Sequence, residues 1–369
     1  MLKPERIISV DFLRGLTVAA MILVNNPGSW QHIYTPLEHS TWNGCTPTDL
    51  VFPFFLFIVG ISISYSLSVP KTSTDNQSEL VIKVIRRAVI LFLLGLFLNF
   101  LSEFSFSTLR IPGVLQRIAI VFLVSALLFL KTSPRAQLIV SCVLLISYWL
   151  LMTLVPVPGI GIPNLEPSTN LGAWLDYSLL ENHLWKYSKN WDPEGILSTL
   201  PAIASGLIGV ITGNWLKTET DKKDKIIYLF AAGNLMILVA LAWDMIFPVN
   251  KSLWTSSFVL FTSGIALNAL AVCYWRIDVQ NFKKYTQPFI AFGSNAIMAY
   301  MLSEVLANLL YRSVEIGGQM VSIKDFVFQA LSANWINLKF LSLVLALAWV
   351  ALIWLPINWM YKKKILIKV

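Results

Sequence analysis

The chain has 369 residues, of which 56% are hydrophobic and only 13% charged. A soluble domain carries roughly 25% charged residues, so soluble enzymes, disordered tails and nucleic-acid binders are excluded. The net charge of +8 calls for no anionic polymer as partner, because the basic residues follow the ends of apolar runs.

Ten apolar stretches are predicted to cross a bilayer, at residues 12–24, 50–67, 88–100, 114–130, 138–155, 196–216, 226–247, 256–275, 289–310 and 340–360. A helical crossing needs about 20 residues; the first and third stretches are shorter and are expected to extend into their flanks. Basic residues mark the cytoplasmic side. With the N-terminus inside, the inner segments hold nineteen of the 28 Lys and Arg residues, from Lys3 and Arg6 through Lys83, Arg86 and Arg87 to Lys362–Lys364 and Lys368. The outer segments hold seven, Arg110, Lys251 and Arg312 among them. The expected fold is therefore all-α, a polytopic membrane bundle of about ten helices with both termini cytoplasmic. It reads as one domain over residues 1–369, with outer loops 25–48 and 156–195 over the site.

In chain order, Asp11 and Arg14 come first, three apart on one helix face and able to pair. Charges near a membrane core tend to face a bundle interior; an inner-interface salt bridge is the plainer alternative. They also argue against a cleavable leader at this end of the chain. The loop 25–48 holds Asn25, Trp30, His32, Glu38, His39, Trp42 and Asn43 and no Lys or Arg. At its end Thr48 or Asp49 can cap the second span. His39, ten residues earlier, is either an ordinary loop histidine or a base or nucleophile active near neutral pH.

Gln116 and Arg117 stand one turn into the fourth span. Residues 156–195 form a long aromatic outer segment, expected to be a functional lid. Trp191, Asp192 and Glu194 stand at its end, either as a helix start or as acids and flat rings lining a sugar site. Pro193 suits a first helical turn, and Pro201 is expected to kink or loosen the sixth span. Asp244 and Glu304 are single acids within spans, each needing a partner. A polar outer connection runs Pro248-Val-Asn-Lys-Ser-Leu-Trp-Thr-Ser-Ser. All three histidines, His32, His39 and His183, fall in outer loops. The three cysteines offer neither a disulfide framework nor a thiolate metal site, and no phosphate-binding loop, dinucleotide fingerprint or zinc spacing occurs.

Several of these segments form one pattern: Ser9-Val-Asp-Phe-Leu-Arg-Gly, Val24-Asn-Asn-Pro-Gly-Ser-Trp, His39 with Trp42-Asn-Gly, Thr46-Pro-Thr-Asp-Leu-Val-Phe-Pro, Gly113-Val-Leu-Gln-Arg-Ile-Ala, Trp191-Asp-Pro-Glu-Gly-Ile-Leu-Ser and Pro248-Val-Asn-Lys-Ser-Leu-Trp. Over nearly its whole length the chain resembles a bacterial member of the heparan-α-glucosaminide N-acetyltransferase family.

The resemblance implies acetyl transfer from acetyl-CoA, as co-substrate, to the amino group of a glucosamine-type sugar. It puts the family's active histidine on His39, as base or transient acetyl carrier, and its accompanying asparagine on Asn25. Arg14 and Arg117 are expected to hold the CoA phosphates, ahead of Arg86 and Arg87. Trp42, Asn43, Asp49, Trp191, Asp192 and Glu194 are expected at the sugar. The expected partners are an amino sugar or glycan fragment, acetyl-CoA and the bilayer, with a homodimer implied by the resemblance; no nucleic acid and no metal are expected. The expected location is the inner (cytoplasmic) membrane. The alternative is a secondary transporter of a sugar or organic acid, a class that shows paired repeats and broken helices near the midplane. No repeat is visible in this sequence.

Overall fold

A segment crossing hydrocarbon must satisfy every backbone N–H and C=O within itself, and the long apolar runs of this chain are accordingly helices. The computed structural model describes residues 7–72, 77–316, 319–333 and 336–367; Lys3, Arg6 and Lys368 lie outside them. In order, the helices are α1 (Ile8–Asn25), α2 (Val51–Thr72), α3 (Gln77–Glu103), α4 (Val114–Lys131), α5 (Pro134–Leu154), α6 (Leu171–Leu180), α7 (Thr199–Leu216), α8 (Lys222–Asp244), α9 (Ser256–Tyr274), α10 (Gln287–Ser294), α11 (Ala296–Leu310), α12 (Ile323–Leu331) and α13 (Leu338–Lys362). Among the described residues, β1 (Ser313–Ile316) pairs antiparallel with β2 (Gln319–Ser322).

Among the described residues, eight helices are long and apolar enough to cross a membrane: α1, α2, α4, α5, α7, α8, α9 and α13. The protein is thus an all-α, multi-pass membrane protein. The third expected span falls within the 27-residue α3, and the first extends to the 18-residue α1, as their short apolar runs required. The ninth expected span is not one helix: α10 and α11 are bent by 84° to one another. At the break, Asn295 donates from Nδ2 to the Ile365 carbonyl and accepts from the Ile367 amide, 3.1 and 3.0 Å. The Asn295 side chain thereby satisfies two backbone groups of the C-terminal segment.

The bundle has a centre and a perimeter. In α7, 67% of the span is buried, against 17% in α8 and 28% in α5 and α13. Leu138, Ile139 and Val143 of α5, Leu235 and Leu238 of α8, and Phe340 and Leu347 of α13 are exposed. These apolar faces form the lipid-facing perimeter. Without a hydrophobic drive between helices in lipid, small residues let backbones approach closely. A Cβ on Gly209 of α7 would lie 2.0 Å from the Phe57 carbonyl of α2, and one on Gly15 of α1 would lie 1.6 Å from the Phe289 carbonyl of α10.

Two local expectations change. Pro201 stands not in the interior of a span but in the first turn of α7, where its missing N–H costs no helical hydrogen bond. Pro193 lies in the turn before that helix, not in a helical first turn. The alternation of spans brings the loops 26–50, 104–113, 155–198 and 245–255 to one end of the bundle. The opposite end holds Ile7 and Ile367, which line one cavity.

Candidate active site

At the loop end, the first turn of α2 is preceded by a short 3-10 helix, Pro47–Leu50, closed by a capping box between Thr46 and Asp49. Asp49 Oδ2 accepts from the Thr46 amide (2.9 Å), the Ser40 amide (3.0 Å) and Thr46 Oγ1 (3.1 Å). Its other oxygen, Oδ1, lies 2.7 Å from His39 Nδ1. Asp49 is thus the third-residue partner of a capping box whose N-cap is Thr46, through Oδ2, while Oδ1 faces His39. Thr48, the other capping candidate, instead donates to the Pro36 carbonyl.

A carboxylate can only accept, so it assigns the proton to His39 Nδ1 and leaves Nε2 with the lone pair. The His39 side chain is 48% exposed while that of Asp49 is sealed: the pair has a buried anchor and an exposed imidazole.

Lys251 comes to the same ring from the loop between α8 and α9. Its Nζ is 3.2 Å from both Nδ1 and Nε2. Equal distances to two nitrogens that flank one carbon put the ammonium over the ring face, not in line with either lone pair. The placement is built into the backbone. Gly44 donates to the Val249 carbonyl at 2.7 Å and bridges Asn250, and Asn43 Oδ1 accepts from Asn250 Nδ2 at 3.2 Å. Gly44 has a φ of +100°, a conformation that side chains other than glycine's rarely adopt. Burial holds Lys251 below the ordinary lysine range; Glu194 and Asp49 oppose this, and Arg117 adds to it. Burial, reinforced by Asp49, pushes the nearby Cys45 thiol up to about 12. It therefore stays a thiol at neutral pH and is no nucleophile.

Arg110 organises the far wall. It donates to Asp192 through Nε (2.8 Å) and Nη2 (2.5 Å), and to Glu194 through Nη2 (2.6 Å). Burial would raise Glu194, but Arg110, Arg117 and Lys251 hold it below the usual carboxylate range. Burial would lower Arg110, which these two acids push above its ordinary value. Behind them Asp176 of α6 accepts from the Ile196 amide at 2.8 Å, and burial raises it to about 6. Trp42 donates from Nε1 to the Leu165 carbonyl (3.0 Å) and meets Trp191 edge-on at 5.3 Å. The long loop is thereby tied to the His39 loop.

The structure thus brings together His39, Asp49, Trp42, Asn43, Trp191, Asp192 and Glu194. Asn25, at the end of α1, is hydrogen-bonded to Glu304 of α11, whereas the described partners of His39 are Asp49 and Lys251. Arg117 is fully buried, packed 5.1 Å over the Trp254 ring and bonded to the Gly195 carbonyl and Ser198 Oγ. It belongs to the loop end, apart from Arg14. His183 and His32 have structural surroundings, the Leu109 carbonyl and the Phe328 ring.

Beneath this site a cavity of about 480 Å³ runs to the opposite end, lined by Arg14, Arg87, Ser62, Phe55, Leu115 and Ile118 among others. Arg14 bonds Asp11 (3.1 Å), Ser62 Oγ (2.8 Å) and the Gly293 carbonyl (3.2 Å). Phe55 of the cavity wall follows Asp49 by six residues, about 9 Å of helical rise, and His39, Asp49 and Lys251 are not among the lining residues.

Sequence reasoning passed over Lys251 and Arg110 as individual residues. The first stood in a polar motif already singled out; the second was one cation facing a segment with two acids, and charge complementarity was its available signal.

Fold and site together define a multi-pass helical membrane protein with a carboxylate-anchored histidine at one end and a cation-bearing cavity entering from the other. The chain belongs to the heparan-α-glucosaminide N-acetyltransferase family, whose catalytic-region model matches residues 6–243. It is 32% identical to the heparan-α-glucosaminide N-acetyltransferase of Mus musculus over 358 residues, covering 82% of this chain and 54% of that protein. Identity to the Homo sapiens enzyme of the same name is also 32%, over 360 residues, covering 83% and 54%. The chain spans about half the length of these curated relatives.

Proposed function

We propose that this protein is an integral-membrane acetyltransferase that moves an acetyl group from acetyl-CoA to the amino group of a glucosamine-type sugar. The observation that carries the reading is the 2.7 Å contact of His39 Nδ1 with Asp49 at the mouth of the bundle, which leaves Nε2 open. An attacking amine must lose a proton, and a neutral imidazole with a free nitrogen takes it. The same lone pair can instead carry the acetyl group between two half-reactions.

Arg14 and Arg87 supply charge for the CoA phosphates where the cavity meets the far end of the bundle. The pantetheine arm would extend along the apolar wall at Phe55, Leu115 and Ile118 toward His39. Trp42 and Trp191 offer flat rings for a sugar face, with Asp192, Glu194 and Asn43 as polar contacts. In this reading the cavity end and both termini face the cytoplasm, the site faces outward, and the protein resides in the cytoplasmic membrane. The broken α10–α11 span is the feature a transporter reading would claim. Its Asn295, however, is occupied by the chain's own C-terminal backbone.

The test is transfer of radiolabelled acetyl from acetyl-CoA to glucosamine by purified, detergent-solubilised protein, wild type against His39→Ala. Transfer by wild type alone supports the reading. Equal transfer by both removes the histidine, and no transfer to any amino sugar removes the activity.

A further inference from the structure

We propose that Lys251 is a catalytic residue of this site, the cation that stabilises the oxyanion formed when the acetyl carbonyl is attacked beside His39. The inference rests on the acetyl-transfer reading above and adds a residue that the sequence pattern did not assign.

The geometry is specific to that role. Lys251 Nζ is 3.2 Å from both ring nitrogens, over the imidazole face. When His39 Nε2 attacks the thioester, a C–N bond forms and the carbonyl π electrons move to oxygen. The resulting tetrahedral carbon projects its oxygen out of the ring plane, whereas the carbonyl of a settled acetyl-imidazole lies near that plane. An ammonium over the face therefore meets the oxyanion better than either ground state, which is the condition for accelerating the step. Collapse re-forms the carbonyl and expels the CoA thiolate. In the second half the sugar amine attacks the acetyl carbon, the same oxygen takes the charge, the bond to Nε2 breaks, and the amine proton passes to Nε2. In direct transfer, with His39 only a base, the single tetrahedral species forms in the same place.

The lysine is fixed where this requires it. Asn250 is fully buried, donates to Asn43 and accepts from the Leu253 amide at 2.9 Å. The Gly44–Val249 hydrogen bond ties the lysine's loop to the loop of His39. Glu194, Asp49 and Cys45 act electrostatically in favour of the ammonium and Arg117 against it. Asn25, the asparagine that the resemblance sets beside His39, is engaged with Glu304.

The experiment compares wild type, Lys251→Met, Lys251→Gln and Lys251→Arg in the acetyl-transfer assay, with thermal unfolding of each in detergent. Loss of one oxyanion donor costs on the order of 10²–10³-fold in kcat. Lys251→Met and Lys251→Gln are expected to lose this much with KM for acetyl-CoA unchanged, and Lys251→Arg to recover at least tenfold over Lys251→Met. If one neutral variant does not fold, the other is read. A folded neutral variant within about threefold of wild-type kcat overturns the proposal, as does a loss carried by KM alone. Wild type inactive on every amino sugar is a different failure: it overturns the acetyl-transfer reading itself, and this inference falls with it.

Discussion

His39 and Asp49, ten residues apart in sequence, are joined by a 2.7 Å contact in which one carboxylate oxygen fixes the imidazole while the other closes the start of a membrane helix. The same side chain thus anchors a fold element and sets a tautomer. Asp49→Asn retains the size but also brings an NH₂ group that can donate to Nδ1 and reverse the tautomer. Acetyl transfer is expected to fall on the order of 10²-fold or more, and His39→Ala to reduce it to background, both measured as kcat on folded protein.

Arg110 is the counter-charge for two sealed acids, Asp192 and Glu194. Removing one partner of a buried pair leaves an uncompensated charge, at about 3–5 kcal/mol. Arg110→Met is expected to lower the unfolding midpoint in detergent substantially. Adding Asp192→Asn to it should restore part of the loss, because a neutral amide no longer needs the guanidinium. A double variant no more stable than the single would show that the cost is packing rather than charge.

Arg14 reaches the large cavity from α1 while bonded to Asp11, Ser62 and the Gly293 carbonyl. Arg14→Met is expected to raise KM for acetyl-CoA about tenfold or more, the range of a charge-assisted hydrogen bond, and to leave KM for the sugar unchanged. Arg14→Lys should lie between the two. An unaltered acetyl-CoA KM in a folded Arg14→Met protein would separate this cavity from the cofactor's phosphates.

Asp176 gives a pH dependence with a definite sign. Burial raises its carboxyl from 3.8 to about 6. Between these values the folded state binds more protons than the unfolded state, so stability falls as pH rises through that window and is level above it. Acidifying from pH 7 toward 5 should therefore stabilise wild type relative to Asp176→Asn, by thermal unfolding across a pH series. Glu194, held low, acts in the opposite sense only at more acidic pH. A wild-type minus variant difference that is flat from pH 4 to 7 would contradict the assignment.

Much was legible in the sequence because hydrocarbon imposes a one-dimensional rule: about 20 apolar residues per crossing, with charges at the ends. The spans at α4, α5, α8, α9 and α13 follow directly from that rule. The break at Asn295 does not, since residues 287–310 pass together as one apolar span and hydropathy carries no angle between its two helices. Pro201 misled because hydropathy ran the sixth span back to residue 196, and only the turn at 192–198 moved the helix start to Thr199.

The site divides in the same way. The sequence by itself determined that the chain is a membrane bundle, that its histidines lie in loops between apolar runs, and that His39, Asp49, Trp191, Asp192 and Glu194 stand in segments resembling one family. Residue type and spacing carry that information locally. Only the tertiary structure decided that Lys251 lies over the imidazole and Arg110 between two acids. It likewise decided that Arg14 reaches the cavity while Arg117 packs on Trp254. Each of these depends on segments separated by dozens to hundreds of residues, and no local pattern encodes which partner a long side chain meets once the helices have packed.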